Sequence, residues 1–154
     1  MGNNVAIVGV GQTHHSRRRT DVSQAGLVRE AVDRALADAK LSIDEIDSIV
    51  VASGPVLFAA VNQPEKWVCD AIGAPLKPVV RITSGGGTGL AGALSAYYQI
   101  AGGFAERVAT AARSVRRCSR YPGDGERRRS IAPSTCESSV STATSSARSS
   151  SQQS

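Results

Sequence analysis

The stretch best suited to chemistry is Ser84-Gly85-Gly86-Gly87-Thr88-Gly89. It follows the apolar run Val79–Ile82 and precedes an Ala-rich helical pattern from Thr88 to Ala101. Glycines ahead of a helix leave first-turn N–H groups open, and the helix dipole adds positive potential there. Such a loop can hold an anion or an oxyanion, or carry a nucleophile. It can equally be a tight turn that lets backbones pack closely. A P-loop is excluded, because the Gly-Lys-Ser/Thr ending is missing and no Lys follows Lys77. Ser84 and Thr88 are the hydroxyl side chains of this loop, and the sequence identifies no base for either.

Other candidates fail on spacing. Gly9-Val10-Gly11-Gln12-Thr13-His14 follows a strand-like run, as a dinucleotide-binding turn would. Its third glycine position is His14, no helix starts there, and the next strand ends in Ala52-Ser53-Gly54 without the ribose-binding acid. His14-His15 is an adjacent pair with no further ligands nearby, which reads as a solvated loop, as does Arg17-Arg18-Arg19. Cys69 lies on a short helical stretch and reads as a structural thiol. Cys69, Cys118 and Cys136 show no CxxC or zinc-ligand spacing. No metal site is predicted, and reduced thiols indicate a cytoplasmic protein. Tyr97-Tyr98 reads as core packing.

The elements around the loop follow from periodicity. Val5–Val10 is a short continuous apolar run ended by Gly11, which predicts a strand covered on both faces. Asp21 or Ser23 can cap a first helix, whose apolar stripe is Leu27, Val28, Ala31, Val32, Ala35, Leu36 and Ala39. Leu41–Asp47 is a connector with a short turn, and Ser48–Ala52 a second strand. Glu65–Ile72 is a second helix, and Val79–Ile82 a third strand. The helix from Thr88 is apolar nearly all round, which predicts burial between layers, in an α/β/α/β stack. Gly102-Gly103 stops it, and Ala105–Val108 approaches a fourth strand. Alternating strands and helices predict a mostly parallel sheet.

Charge divides the chain in two. Residues 1–108 hold 10 Lys and Arg against 10 Asp and Glu; residues 109–154 hold 8 Arg against 3 acids. The near-neutral part carries no electrostatic footprint for nucleic acid. No apolar run approaches the length of a membrane span. From Ala109 onward there is no Leu, Phe, Trp, Met or Lys. That composition predicts a disordered Arg/Ser-rich tail over 109–154, or an out-of-frame translation of a GC-rich gene. A small α/β binding domain with a basic tail is the reading that needs no catalysis.

Taken together, the residues resemble the thiolase superfamily, of the sterol-carrier and archaeal acetyl-CoA acetyltransferase type. The likeness runs over residues 4–108. It is carried by Val5-Ala6-Ile7-Val8-Gly9-Val10-Gly11-Gln12-Thr13, by Leu41-Ser42-Ile43-Asp44-Glu45-Ile46-Asp47-Ser48-Ile49-Val50, and by Arg81 to Gly103 with Phe104-Ala105-Glu106-Arg107-Val108 after it. The resemblance implies a thiolase-like layered α/β/α fold, present as an incomplete N-terminal half. It implies acyl transfer on coenzyme A thioesters as substrates, with no bound cofactor, and a homodimer or an OB-fold partner subunit. It also implies a nucleophilic cysteine at the start of the buried helix. The matching position here is Gly86, which cannot form an acyl-enzyme; Ser84 and Thr88 are the substitutes on offer. A subset of the family lacks that cysteine, and some of its members are retro-aldolases on acyl-CoA. The chain therefore reads as an acyltransferase fragment inactive alone, or as a non-catalytic or retro-aldolase-type subunit.

Overall fold

The computed structural model describes residues 4–14, 21–54, 63–113 and 140–146. In chain order these form β1 (Val5–Gln12), α1 (Gln24–Ala39), β2 (Ser48–Ser53), α2 (Pro64–Ile72), β3 (Val79–Ile82), α3 (Thr88–Ala101), β4 (Arg107–Arg113) and β5 (Val140–Ser146). Short 3-10 turns at Ile43–Glu45 and Gly85–Gly87 precede β2 and α3. The five strands make one sheet in the order β1-β5-β4-β2-β3. β2 runs parallel to β3 and β4, while β5 is antiparallel to β1 and β4. The sheet is thus mostly parallel, with one reversed strand in its interior.

Local chemistry accounts for the helix limits. Ser23 accepts the Gly26 N–H at 3.1 Å and caps α1. Lys40, in the left-handed region, closes its other end. α2 starts at Pro64, whose missing N–H costs nothing in a first turn, and stops at Gly73 with φ 74°. The connector is fastened by carboxylates. Glu45 accepts the Ser42 N–H and hydroxyl, and Asp47 accepts the N–H groups of Glu106 and Arg107 at 2.8 Å each. These bonds bring the starts of β2 and β4 together. The Ser42 N–H, and then the Ser42 hydroxyl, hold the Glu45 carboxyl below the usual carboxylate range.

Helices cover the two faces of the sheet. Val28, Val32 and Leu36 of α1 and Val68, Cys69 and Ile72 of α2 pack with Ile49, Val51, Ala109 and Ala111. On the other face Ala96 and Ile100 of α3 pack with Val50 and Val108. The result is a three-layer α/β/α arrangement. α1 lies in contact with β1: a Cβ on Gly9 or Gly11 would overlap Ala35 O or Ala31 O. Only glycine fits beneath the helix at those two positions.

Three expectations change. The fourth layer of an α/β/α/β stack is not among the described residues: the outer side of α3 is open, with Leu90, Leu94, Tyr97 and Tyr98 exposed. The tyrosines meet edge to face at 5.6 Å on that surface instead of packing in the core. β1 is a sheet edge covered on one face only, so Ile7 is 66% and Val10 52% exposed. β4 runs past Ala109 to Arg113, and residues 140–146 form β5. A strand flanked on both sides gains from its neighbours' backbone pairing and needs little apolar surface of its own. The rest of the predicted tail, residues 114–139 and 147–154, lies outside the described residues, as do His15, Arg17–Arg19, Cys118 and Cys136.

Candidate functional site

The glycine loop joins the end of β3 to the first turn of α3. That is the carboxyl end of the parallel strands, where ligands of open α/β sheets bind. Two interactions hold it to the sheet. Thr83 Oγ1 donates to Ser53 O at 2.9 Å, across to the end of β2. Arg81 donates from Nε to Ser53 Oγ at 3.2 Å and from Nη2 to Gly54 O at 3.4 Å. Its Nη1 lies 3.5 Å from Glu65 Oε2 on α2, an ion pair longer than a hydrogen bond.

Thr88 shapes the loop from within. Its Oγ1 accepts the Ser84 N–H at 2.9 Å and donates to Gly85 O at 2.7 Å. The residue is buried. Its hydroxyl proton is committed to a carbonyl, so Thr88 acts as a clasp, and the geometry does not support it as a nucleophile. Ser84 is exposed, and among the described residues no carboxylate or imidazole is hydrogen-bonded to its hydroxyl. Gly85 requires glycine for its φ of 53°. Gly86 and Gly87 are exposed, and a Cβ on either meets nothing within 4 Å. The loop is therefore an open, side-chain-free floor at a helix N-terminus that no side chain caps.

The helix behind this floor is held close to the sheet. Thr88, Gly92, Ala96 and Ile100, at four-residue spacing, are its buried stripe. A Cβ on Gly92 would stand 2.7 Å from Ala52 Cβ. Close approach seats the helix directly against Ala52 of β2 and Thr110 of β4.

The remaining candidates do not converge on the loop. Cys69 is buried in the core with α1, and burial, then the neighbouring Asp70 and Glu65 charges, pushes its thiol up. A thiol so placed is protonated at neutral pH and is not a nucleophile. His14 is exposed beyond β1. Among the described residues no group of three His, Cys, Asp or Glu side chains gathers as metal ligands would. Arg81, Ser53, Thr83 and Glu65 were not legible as supports of the site. The one available signal was an arginine inside the apolar strand Val79-Val80-Arg81-Ile82.

A groove of about 540 Å³ runs beside α3, lined by Val80, Ile82, Leu94, Tyr98, Gln99 and Phe104 among others. It borders β3, which among the described residues pairs only with β2 and forms a sheet edge. Ser48 Oγ donates to Gln99 Oε1 at 2.7 Å, while Gln99 Nε2 is buried with no partner among the described residues.

This layering, strand order and loop define a thiolase-like α/β fold. The chain superposes on a priming β-ketosynthase of the R1128 polyketide biosynthetic pathway with a TM-score of 0.73 at 15% identity, over 95% of this chain and 51% of that one. It matches an Ltp2-ChsH2(DUF35) aldolase at 32% identity and a TM-score of 0.58, over 71% of this chain and 27% of that one. It matches an acetyl-CoA acetyltransferase from Syntrophomonas wolfei at 22% identity and a TM-score of 0.63, over 72% and 29% respectively. The chain thus spans about half of the first of these structures (51%) and under a third of the other two (27% and 29%). No family model and no curated protein matches the sequence. No helix among the described residues is long and apolar enough to cross a membrane.

Proposed function

We propose that this chain is a thiolase-like subunit that handles coenzyme A thioesters at the 84–89 loop without forming an acyl-enzyme there. One observation carries the reading: Gly86, which the sequence resemblance matches to the family's cysteine, stands in open space before a helix N-terminus that no side chain caps, and the nearby Thr88 hydroxyl is committed to Gly85 O. Main-chain N–H groups at such a terminus, other than those of Gly87 and Thr88, which donate to Ser84 O and Gly85 O, suit the oxygen of a thioester carbonyl or its enolate. They can support carbon–carbon cleavage next to the thioester, in which no residue of the loop bonds to the acyl group. The likeness to an aldolase at 32% identity, against 22% for an acetyltransferase, favours the retro-aldolase-type reading over acyl transfer. A base and the rest of the coenzyme A site would come from outside the described residues or from a partner.

The surface supports a partner. Among the described residues the open edge of β3, the apolar groove and the unpartnered Gln99 Nε2 lie together. A homodimer through β3 or an OB-fold partner subunit would cover them.

Hydrogen exchange on the full chain tests the site. Acetyl-CoA is expected to slow exchange at residues 84–91 and to leave no acetyl group on the protein. Covalent acetylation, or no change at the loop at millimolar acetyl-CoA, would refute the reading. Sedimentation tests the surface: Val80→Lys is expected to weaken self-association at least tenfold, and a chain already monomeric at high concentration would exclude the homodimer.

A further inference from the structure

β5 is the strand least able to hold itself in place. It lies between β1 and β4, antiparallel to both. Residues 114–139 separate it from β4 along the chain. Its sequence is Val-Ser-Thr-Ala-Thr-Ser-Ser, with Val140 the one apolar residue larger than alanine. Main-chain pairing on two sides is what its register shows holding it. Any extended chain can supply that pairing.

Register adds a filter. Position 143 lies in one row with Gly9 and Ala109, and position 141 in one row with Gly11 and Ala111. α1 covers both rows so closely that Gly9 and Gly11 cannot carry a Cβ. Ala109 and Ala111, on the far side of β5, belong to the core cluster under α1. The middle of the gap therefore takes small residues at two positions spaced by two. Position 142, in the row of Val10 and Thr110, is on the opposite face, where β1 is uncovered.

We propose that the gap between β1 and β4 is an acceptor slot for an extended peptide. Residues 140–146 occupy it reversibly in cis. A segment in trans, antiparallel to β1 and β4 with Gly, Ala or Ser at two alternate positions, can replace them.

The test uses the full chain, its Thr142→Pro variant and a labelled peptide of residues 139–147. Proline cannot pair inside a sheet, so this variant empties the slot. The peptide is expected to bind the variant at least tenfold more tightly than the unaltered chain and to restore slow hydrogen exchange along β1. A peptide with Ala143→Leu is expected to bind at least tenfold more weakly. Equal binding of the two peptides, or β1 exchange that is unchanged in the variant or not restored by peptide, would overturn the slot. Should the variant fail to fold, peptide uptake by the unaltered chain decides: binding of the 139–147 peptide that Ala143→Leu weakens at least tenfold is expected, and no uptake, or equal uptake of the two peptides, would overturn it.

Discussion

A methyl group at position 92 measures how tightly the site helix is seated. A Cβ on Gly92 would stand 2.7 Å from Ala52 Cβ and 3.3 Å from Thr110 Cγ2. Carbon atoms rest at about 3.5–4.0 Å, so α3 must lift by about 1 Å. Ala52 Cβ is fixed to the backbone of β2, which is paired on both sides, and cannot rotate away. Overpacking of this kind costs about 1–3 kcal/mol, and replacing a helical glycine with alanine returns about 1 kcal/mol. Gly92→Ala is therefore expected to lose up to about 2 kcal/mol net in urea unfolding, with an unchanged slope. Ala52→Gly opens the same space. The double variant should be more stable than the two single effects predict by about 1 kcal/mol or more. Gly86→Ala serves as the control, because its Cβ meets nothing within 4 Å; a change within about 0.5 kcal/mol is expected. Additivity of the pair to within about 0.5 kcal/mol, or equal effects at 92 and 86, would refute the close seating.

Further outcomes follow from the same geometry. Gly86→Cys should place a thiol at an uncapped helix N-terminus, where it is alkylated at least ~10 times faster than buried Cys69, as peptide mapping after iodoacetamide will report. The Cys69 thiol is pushed above its ordinary value of 9.0, so its contribution to stability is complete below that pH and is lost as pH rises through the folded value. Cys69→Ala should flatten the stability profile above about pH 9, and an unchanged slope there would contradict the shift. Asp47→Ala removes two main-chain bonds that join β4 to the connector, and thermal unfolding should show a loss of about 1–2 kcal/mol for this exposed carboxylate. Asp47→Asn, which keeps one acceptor oxygen, should recover part of that loss.

Much of the fold was legible because its elements carry their own period. The stripe Val28, Val32, Leu36 lies in the core, and β3 and α3 fall at Val79–Ile82 and Thr88–Ala101. A glycine loop ahead of a helix was also legible at Gly85–Gly87, but that it is an open floor rather than a tightly packed turn was not. The role of Thr88 was not. A hydroxyl in a loop reads as a nucleophile until its proton is seen committed to Gly85 O. β5 was missed because its composition matches a disordered segment, although Val140, Thr142 and Thr144 alternate with Ser141, Ala143 and Ser145. Small residues make that alternation faint on a hydropathy scale.

By itself, then, the sequence determined the first three strands, the three helices and the approach to β4, where the glycine loop falls, and that no cysteine stands in it. Tertiary structure alone decided that β5 enters between β1 and β4, that Arg81 and Thr83 brace the loop from β3, and that the outer side of α3 is open. The physical reason is range. Periodicity and capping act within a few residues. Strand order, the clearance under α1 at Gly9 and Gly11, and the commitment of a hydroxyl proton depend on groups that only folding brings together.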